Sequence, residues 1–226
     1  MDRRAVEITA SVKRILETVP PGTIVVAAAK GRTPAEVEVA IQAGITHVGH
    51  NYIQEGEAMI RALGDKATWH MIGHLQRNKA GKAVRLFDMI ETVDSVRLAE
   101  AVERRCAALE KTMPLLVEIN SGREASKNGV LPKDVDDLIA ALSGMEHILV
   151  QGLMTMGPAF GDPKDARPYF RATREAFERL STLDLPNVRM RYLSMGMSNS
   201  YRVALEEGAN VVRIGTGIFG PRPERG

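Results

Sequence analysis

One lysine closes the first long apolar run of the chain. Residues 24 to 33 read IVVAAAKGRT, six small or branched apolar residues followed by Lys30, Gly31, Arg32 and Thr33. An ammonium beside apolar walls loses solvation, so the free amine is favoured and becomes a nucleophile toward carbonyl carbon. Taken alone, Lys30 reads more readily as a rim lysine that snorkels to water. Two later turns bear on the choice. Ser194-Met195-Gly196-Met197-Ser198-Asn199 leads into an amphipathic stretch over 199–207, and Arg213-Ile214-Gly215-Thr216-Gly217 closes the last apolar run. Small, hydroxyl-bearing, glycine-containing turns that open a helix offer unpaired backbone N–H groups to an anion. One such turn describes many ordinary caps; two in adjacent places are a stronger signal. A lysine at one position and a phosphate cradle at another imply an aldehyde that carries a phosphate. Arg213 interrupts the run Val211, Val212, Ile214. Its guanidinium either pairs with a carboxylate such as Glu118 or faces a ring nitrogen of the ligand.

The elements that must position these groups follow from periodicity. Apolar runs at 24–29, 46–49, 68–72, 88–93, 114–120, 147–154, 191–194 and 210–215 read as strands. Between them lie helical patterns such as Val37, Ile41; Val135, Leu138, Ile139, Leu142; and Phe170, Thr173, Phe177, Leu180, with an opening helix marked by Val6, Val12, Ile15, Leu16 and Val19. Thr33-Pro34-Ala35-Glu36 has the form of a capping box with proline at the first helical position. Gly44 and Gly208 stand where helices need a left-handed terminator. Eight strands alternating with helices in 226 residues predict a single (β/α)₈ TIM barrel over 1–226 with an extra N-terminal helix. A doubly wound open sheet is the competing arrangement. In the barrel, Lys30 and Arg213 both fall at C-terminal strand ends, where barrels carry their reactive groups.

Composition bounds the function. Thirty basic and 28 acidic residues leave a formal charge of +2, with no basic stripe of the kind nucleic acid needs. Cys106 is the only cysteine, so no internal disulfide forms, and a buried helical thiol is expected. No run approaches a membrane span, and the charged first twenty residues lack a signal-peptide core, so a cytoplasmic location is expected.

The segments VVAAAKGRTP, GHNYIQE (49–55), WHMIGHLQRNK (69–79), EINSGREASKNG (118–129), GLMTMGP (152–158), SMGMSNSY (194–201) and VRIGTGIFGPR (212–222) together resemble the YggS/PROSC family of pyridoxal 5′-phosphate (PLP) homeostasis proteins, similar in fold to the N-terminal barrel of alanine racemase. The resemblance implies that Lys30 is the Schiff-base lysine. It implies that Ser194, Gly196, Ser198, Gly215 and Thr216 hold the phosphate, with Met197 in the same turn, and that Arg213 faces the pyridine nitrogen. Asn51 would lie near the ring and Met154 would form a pocket wall. His50 stands where the family usually has glutamate, and Ser200-Tyr201 where Asp-Met is commoner.

Three functions compete. A PLP carrier that stores or delivers cofactor to apoenzymes, as a monomer and with little turnover, is preferred. A PLP-dependent racemase-like enzyme needs a base on each face of the substrate. Only Tyr52 and Tyr201 offer a second one here, and a racemase-type second domain is not expected. An arginine at the pyridine nitrogen also weakens the ring as an electron sink. A class I aldolase ranks third, because Lys30 lacks an adjacent acid–base pair. His70 and His74 have helical metal spacing but sit on a predicted strand without a third ligand, so no metal is expected. His70 is instead expected to contribute a hydrogen bond near the pocket. Lys127 is either a second phosphate contact or an ordinary loop lysine.

Overall fold

The computed structural model describes residues 2–124, 127–158 and 161–221. Eight parallel strands close into a barrel in chain order. They are β1 (Ile24–Ala28), β2 (His47–His50), β3 (Thr68–Met71), β4 (Met89–Val93), β5 (Met113–Ile119), β6 (Ile148–Thr155), β7 (Val188–Ser194) and β8 (Val211–Ile214). Each predicted run overlaps one of them, with β7 starting three residues earlier than predicted, and the open sheet is excluded by the β1–β8 pairing that joins Val26 to Arg213.

The first strand shows how the pleat sorts side chains. Val25 and Ala27 pack outward into the large cluster beneath the helices. Val26 clusters inward with Ile72 and Val211, and Ile24 and Ala28 pack against that inner group. Lys30 follows two residues after Ala28, in the turn that leaves β1. The smallness of Ala28 leaves space at the barrel mouth.

The opening helix α1 (Arg3–Thr18) buries Ile8, Val12 and Ile15. It packs on α2 (Pro34–Gln42) and on the short α9 (Thr216–Phe219) that follows β8. The α2 start has the full reciprocal cap: Glu36 N donates to Thr33 Oγ1 at 3.3 Å, and Thr33 N donates to Glu36 Oε2 at 3.0 Å. Gly152 in β6, at φ +147°, approaches β7 so closely that a Cβ there would lie 1.8 Å from Tyr192 O. This close passage accompanies a register shift, after which Met154 lies opposite Ser194. Among the described residues, no helix is long and apolar enough to cross a membrane.

Candidate functional site

A cavity of about 780 Å³ opens at the C-terminal end of the barrel. Ala28, Asn51 and Ile72 line one side, while Met197, Ser198, Gly215 and Thr216 line another, together with Arg213. Six of the ten residues picked from sequence therefore share one cavity. They arrive from β8 and from the turns after β2, β7 and β8.

The two turns are tied together by one hydroxyl. Ser198 Oγ accepts hydrogen bonds from Gly215 N at 3.2 Å and from Gly217 N at 3.0 Å. Backbone N–H groups that converge on an oxygen acceptor form a cradle suited to an anionic oxygen. Gly196 shapes the first turn at φ +93°, where a Cβ would sit 2.6 Å from Ala204 Cβ and 2.8 Å from Tyr201 Cα. Gly196→Ala combines a strained backbone with a clash against the chain of α8 (Tyr201–Glu206). A loss of about 2–4 kcal/mol is expected, or roughly 4–16 °C in melting temperature for a protein of this size. Thermal unfolding checks this, and an unchanged midpoint contradicts it. Ser200 Oγ accepts from Met197 N at 3.2 Å, so the serine at this unusual position helps hold the turn.

Arg213 is buried at the cavity floor. It donates to Ser194 Oγ at 2.6 Å and to Thr155 O at 2.8 Å, and lies 3.9 Å from Glu91 Oε2. Burial pulls its guanidinium down from the ordinary arginine range, while Glu91 and Glu118 oppose that pull. Glu91, wholly buried inside the barrel, accepts from Ser194 Oγ at 2.6 Å and contacts His70 Nδ1 at 2.7 Å. Burial pushes its carboxyl up, but His70, Arg213 and Ser194 together hold it below the usual glutamate range. The chain continues to His47, whose Nδ1 lies 2.9 Å from His70 Nε2. Burial and the nearby His70 pull His47 down to about 4.

This network corrects two expectations. Ser194 is the last residue of β7, and its side chain points into the barrel. Its hydroxyl is taken by Glu91 and Arg213 and does not face the turns that form the cradle. Met154 is fully buried within β6 and does not line the cavity; Met156 does. Arg213 bonds the network of Glu91, which sequence reasoning passed over, and reaches Glu118 only through space. A lone carboxylate in the run MIETV was the available signal. Its partners come from β3, β7 and β8, and no periodicity announces such long-range pairing.

Lys30 stands at the rim beside the cavity and not among its lining groups. Its Nζ donates to Tyr52 Oη at 3.2 Å and lies 4.8 Å from the centre of that ring. Tyr52, 46 % exposed, follows directly on Asn51. Tyr201 lies elsewhere: its hydroxyl meets Thr18 Oγ1 of α1 at 2.9 Å and accepts from Arg202. Lys127 pairs with Glu124 at 2.6 Å. His50 is buried behind β2, stacked 6.1 Å from Trp69, with neither ring nitrogen bonded among the described residues. Burial pulls it down to about 4, so it packs as a neutral ring. Cys106 is buried, and its thiol is pushed up to about 11, chiefly by burial. His74 lies 3.9 Å from Asp94, apart from the His70 network.

Comparison with known proteins places these features. The alanine racemase N-terminal-domain profile matches residues 6–223. The pyridoxal phosphate homeostasis protein of Aquifex aeolicus is 37% identical over 196 residues, covering 86% of this chain and 85% of that one. The structure of PipY from Synechococcus elongatus PCC7942 with PLP bound superposes at a TM-score of 0.86, with 32% identity, over 94% of this chain and 100% of that one. Alanine racemase from Clostridium difficile 630 shares the fold, with a TM-score of 0.79 at 15% identity, over 97% of this chain and 57% of that one.

Proposed function

This chain belongs to the alanine racemase N-terminal-domain family, among the pyridoxal phosphate homeostasis proteins, and on that premise we propose that it binds PLP in the barrel-mouth cavity and acts as a carrier with little turnover. The observation that carries the reading is the convergence on one cavity of the Ser198–Gly215–Gly217 cradle and the Arg213 guanidinium, with Lys30 at the rim two residues past the cavity-lining Ala28. The donor set fits the cofactor: backbone N–H groups and the Thr216 hydroxyl for a phosphate, a guanidinium for a ring nitrogen, and a primary amine for an aldehyde. When bound, PLP supplies an aldehyde that condenses reversibly with a primary amine, and Lys30 is that amine.

The chain's own groups have distinct tasks. Gly215 and Gly217 hold the anionic end. Arg213 is fixed by Ser194, Thr155 and Glu91, so it presents N–H donors only and leaves a facing pyridine nitrogen without a proton. Asn51 borders the ring. Tyr52 orients the Lys30 amine. Low turnover is supported by the arginine, which weakens the ring as an electron sink. It is also supported by the two tyrosines: Tyr52 sits on Lys30 itself, and Tyr201 meets α1. Action as a cytoplasmic monomer that passes cofactor to apoenzymes belongs to the same reading.

Titration of the purified protein with PLP tests it. A saturable visible absorption band is expected, with negligible racemisation of alanine by the coloured protein. No band contradicts cofactor binding. Racemisation at an ordinary enzymatic rate, roughly 1–10³ per second, contradicts the carrier reading.

A further inference from the structure

The barrel mouth holds a second cavity, of about 400 Å³, which shares Asn51, Ile72 and Met156 with the first. That volume lies within the ~300–1,000 Å³ span of small-molecule sites. Glu118 of β5 lines it. The residue is 3% exposed, and its Oε2 is buried without a hydrogen-bond partner among the described residues. Buried carboxyl oxygens are ordinarily bonded, because leaving one unsatisfied costs about 1–3 kcal/mol or more. Arg213, the nearby guanidinium, gives its bonds to Ser194 and Thr155. Burial pushes the Glu118 carboxyl up to about 7; Asp94 adds to the rise and Arg213 opposes it. A cation brought to this carboxyl favours its charged form and gains a partner for the open oxygen.

The rest of the lining selects the kind of cation. Among the described residues, no group of three or more His, Cys, Asp or Glu is placed to hold a metal. Side-chain amides of Gln54, Gln76 and Asn128 offer neutral carbonyl acceptors instead. One carboxylate with several amide oxygens suits the three N–H donors of a primary ammonium. Ile72 and Met156 supply an apolar wall for a short carbon chain. We propose that this second cavity binds a small primary amine, its protonated nitrogen on Glu118 and its chain against Ile72 and Met156. The inference needs only the cavity and Glu118. It draws on the cofactor reading solely for its consequence, that a free amine is held beside the site of an amine-reactive aldehyde.

Calorimetric titration of the cofactor-free protein with n-butylamine hydrochloride, and with 1-butanol as its neutral counterpart, tests the proposal. Butylammonium is expected to bind at least about tenfold more tightly than butanol, and Glu118→Gln is expected to remove that preference. Among the described residues, Asp94, Arg213, Tyr52, His74 and Lys79 are the charged or titratable groups around Glu118 or lining its cavity. Affinity for the amine should fall between pH 8 and pH 6 as Glu118 gains its proton, and this dependence should vanish in Glu118→Gln. No heat with butylamine, equal binding of butanol by the unaltered protein, or an unchanged preference in Glu118→Gln overturns the proposal. The comparison with butanol decides the matter even where the variant does not fold. PLP titrated into the unaltered protein in parallel tests the cofactor reading separately, so failure there strikes that reading and leaves the amine result standing.

Discussion

Lys30→Ala protein mixed with PLP stays colourless, folds normally and loses most of its affinity for the cofactor. The folding expectation rests on position: Lys30 is a rim residue whose amine donates to the half-exposed Tyr52. Truncating such a side chain changes stability by no more than about 0.5 kcal/mol. The affinity expectation rests on chemistry. The turns and Arg213 still hold the phosphate and the ring, but the reversible covalent anchor is gone. A drop of about 100-fold or more, some 2.7 kcal/mol, is expected in equilibrium titration. Undiminished colour and affinity would place the anchor on another lysine.

The second large effect lies deeper in the barrel. Glu91→Leu leaves the Arg213 guanidinium buried without its carboxylate and removes the acceptor of Ser194 and the partner of His70. Breaking a buried ion pair from one side costs about 3–5 kcal/mol. For a chain of this length the melting temperature should fall by roughly 6–20 °C. Replacing both partners, Glu91→Leu with Arg213→Met, should recover much of the loss, because no uncompensated charge is left. The double variant should still bind PLP poorly, since the ring loses its guanidinium. Thermal unfolding of the three proteins separates these effects. A single variant as stable as the parent means that Glu91 does not hold Arg213.

The contrast between Lys30 and Glu91 shows what a chain reveals before it folds. Lys30 and Arg213 are visible because each is a charged residue at the end of an apolar run, and strand ends are where barrels place chemistry. The Thr33–Glu36 cap and the terminators Gly44 and Gly208 are local, and both glycines take positive φ. Ser194 and Met154 were misplaced for a different reason. A motif groups neighbouring residues as one set, but the pleat sends Ser194 inward while Ser198, four residues later, reaches the cradle. Met154 pairs with Ser194 and faces inward with it, one pleat short of Met156, which lines the cavity. Glu91 and the free oxygen of Glu118 were hidden because their environments come from strands far apart in the chain. Residue type and strand order were legible, and long-range pairing was not.

The most direct measurement is a mass map. The PLP-loaded protein is reduced with borohydride, digested, and its peptides weighed. A single cofactor-derived mass increment on the peptide containing Lys30, absent from the Lys30→Ala variant, is the predicted result. An increment on Lys127 or any other lysine, or none at all, contradicts the assignment of this cavity and this amine to the cofactor.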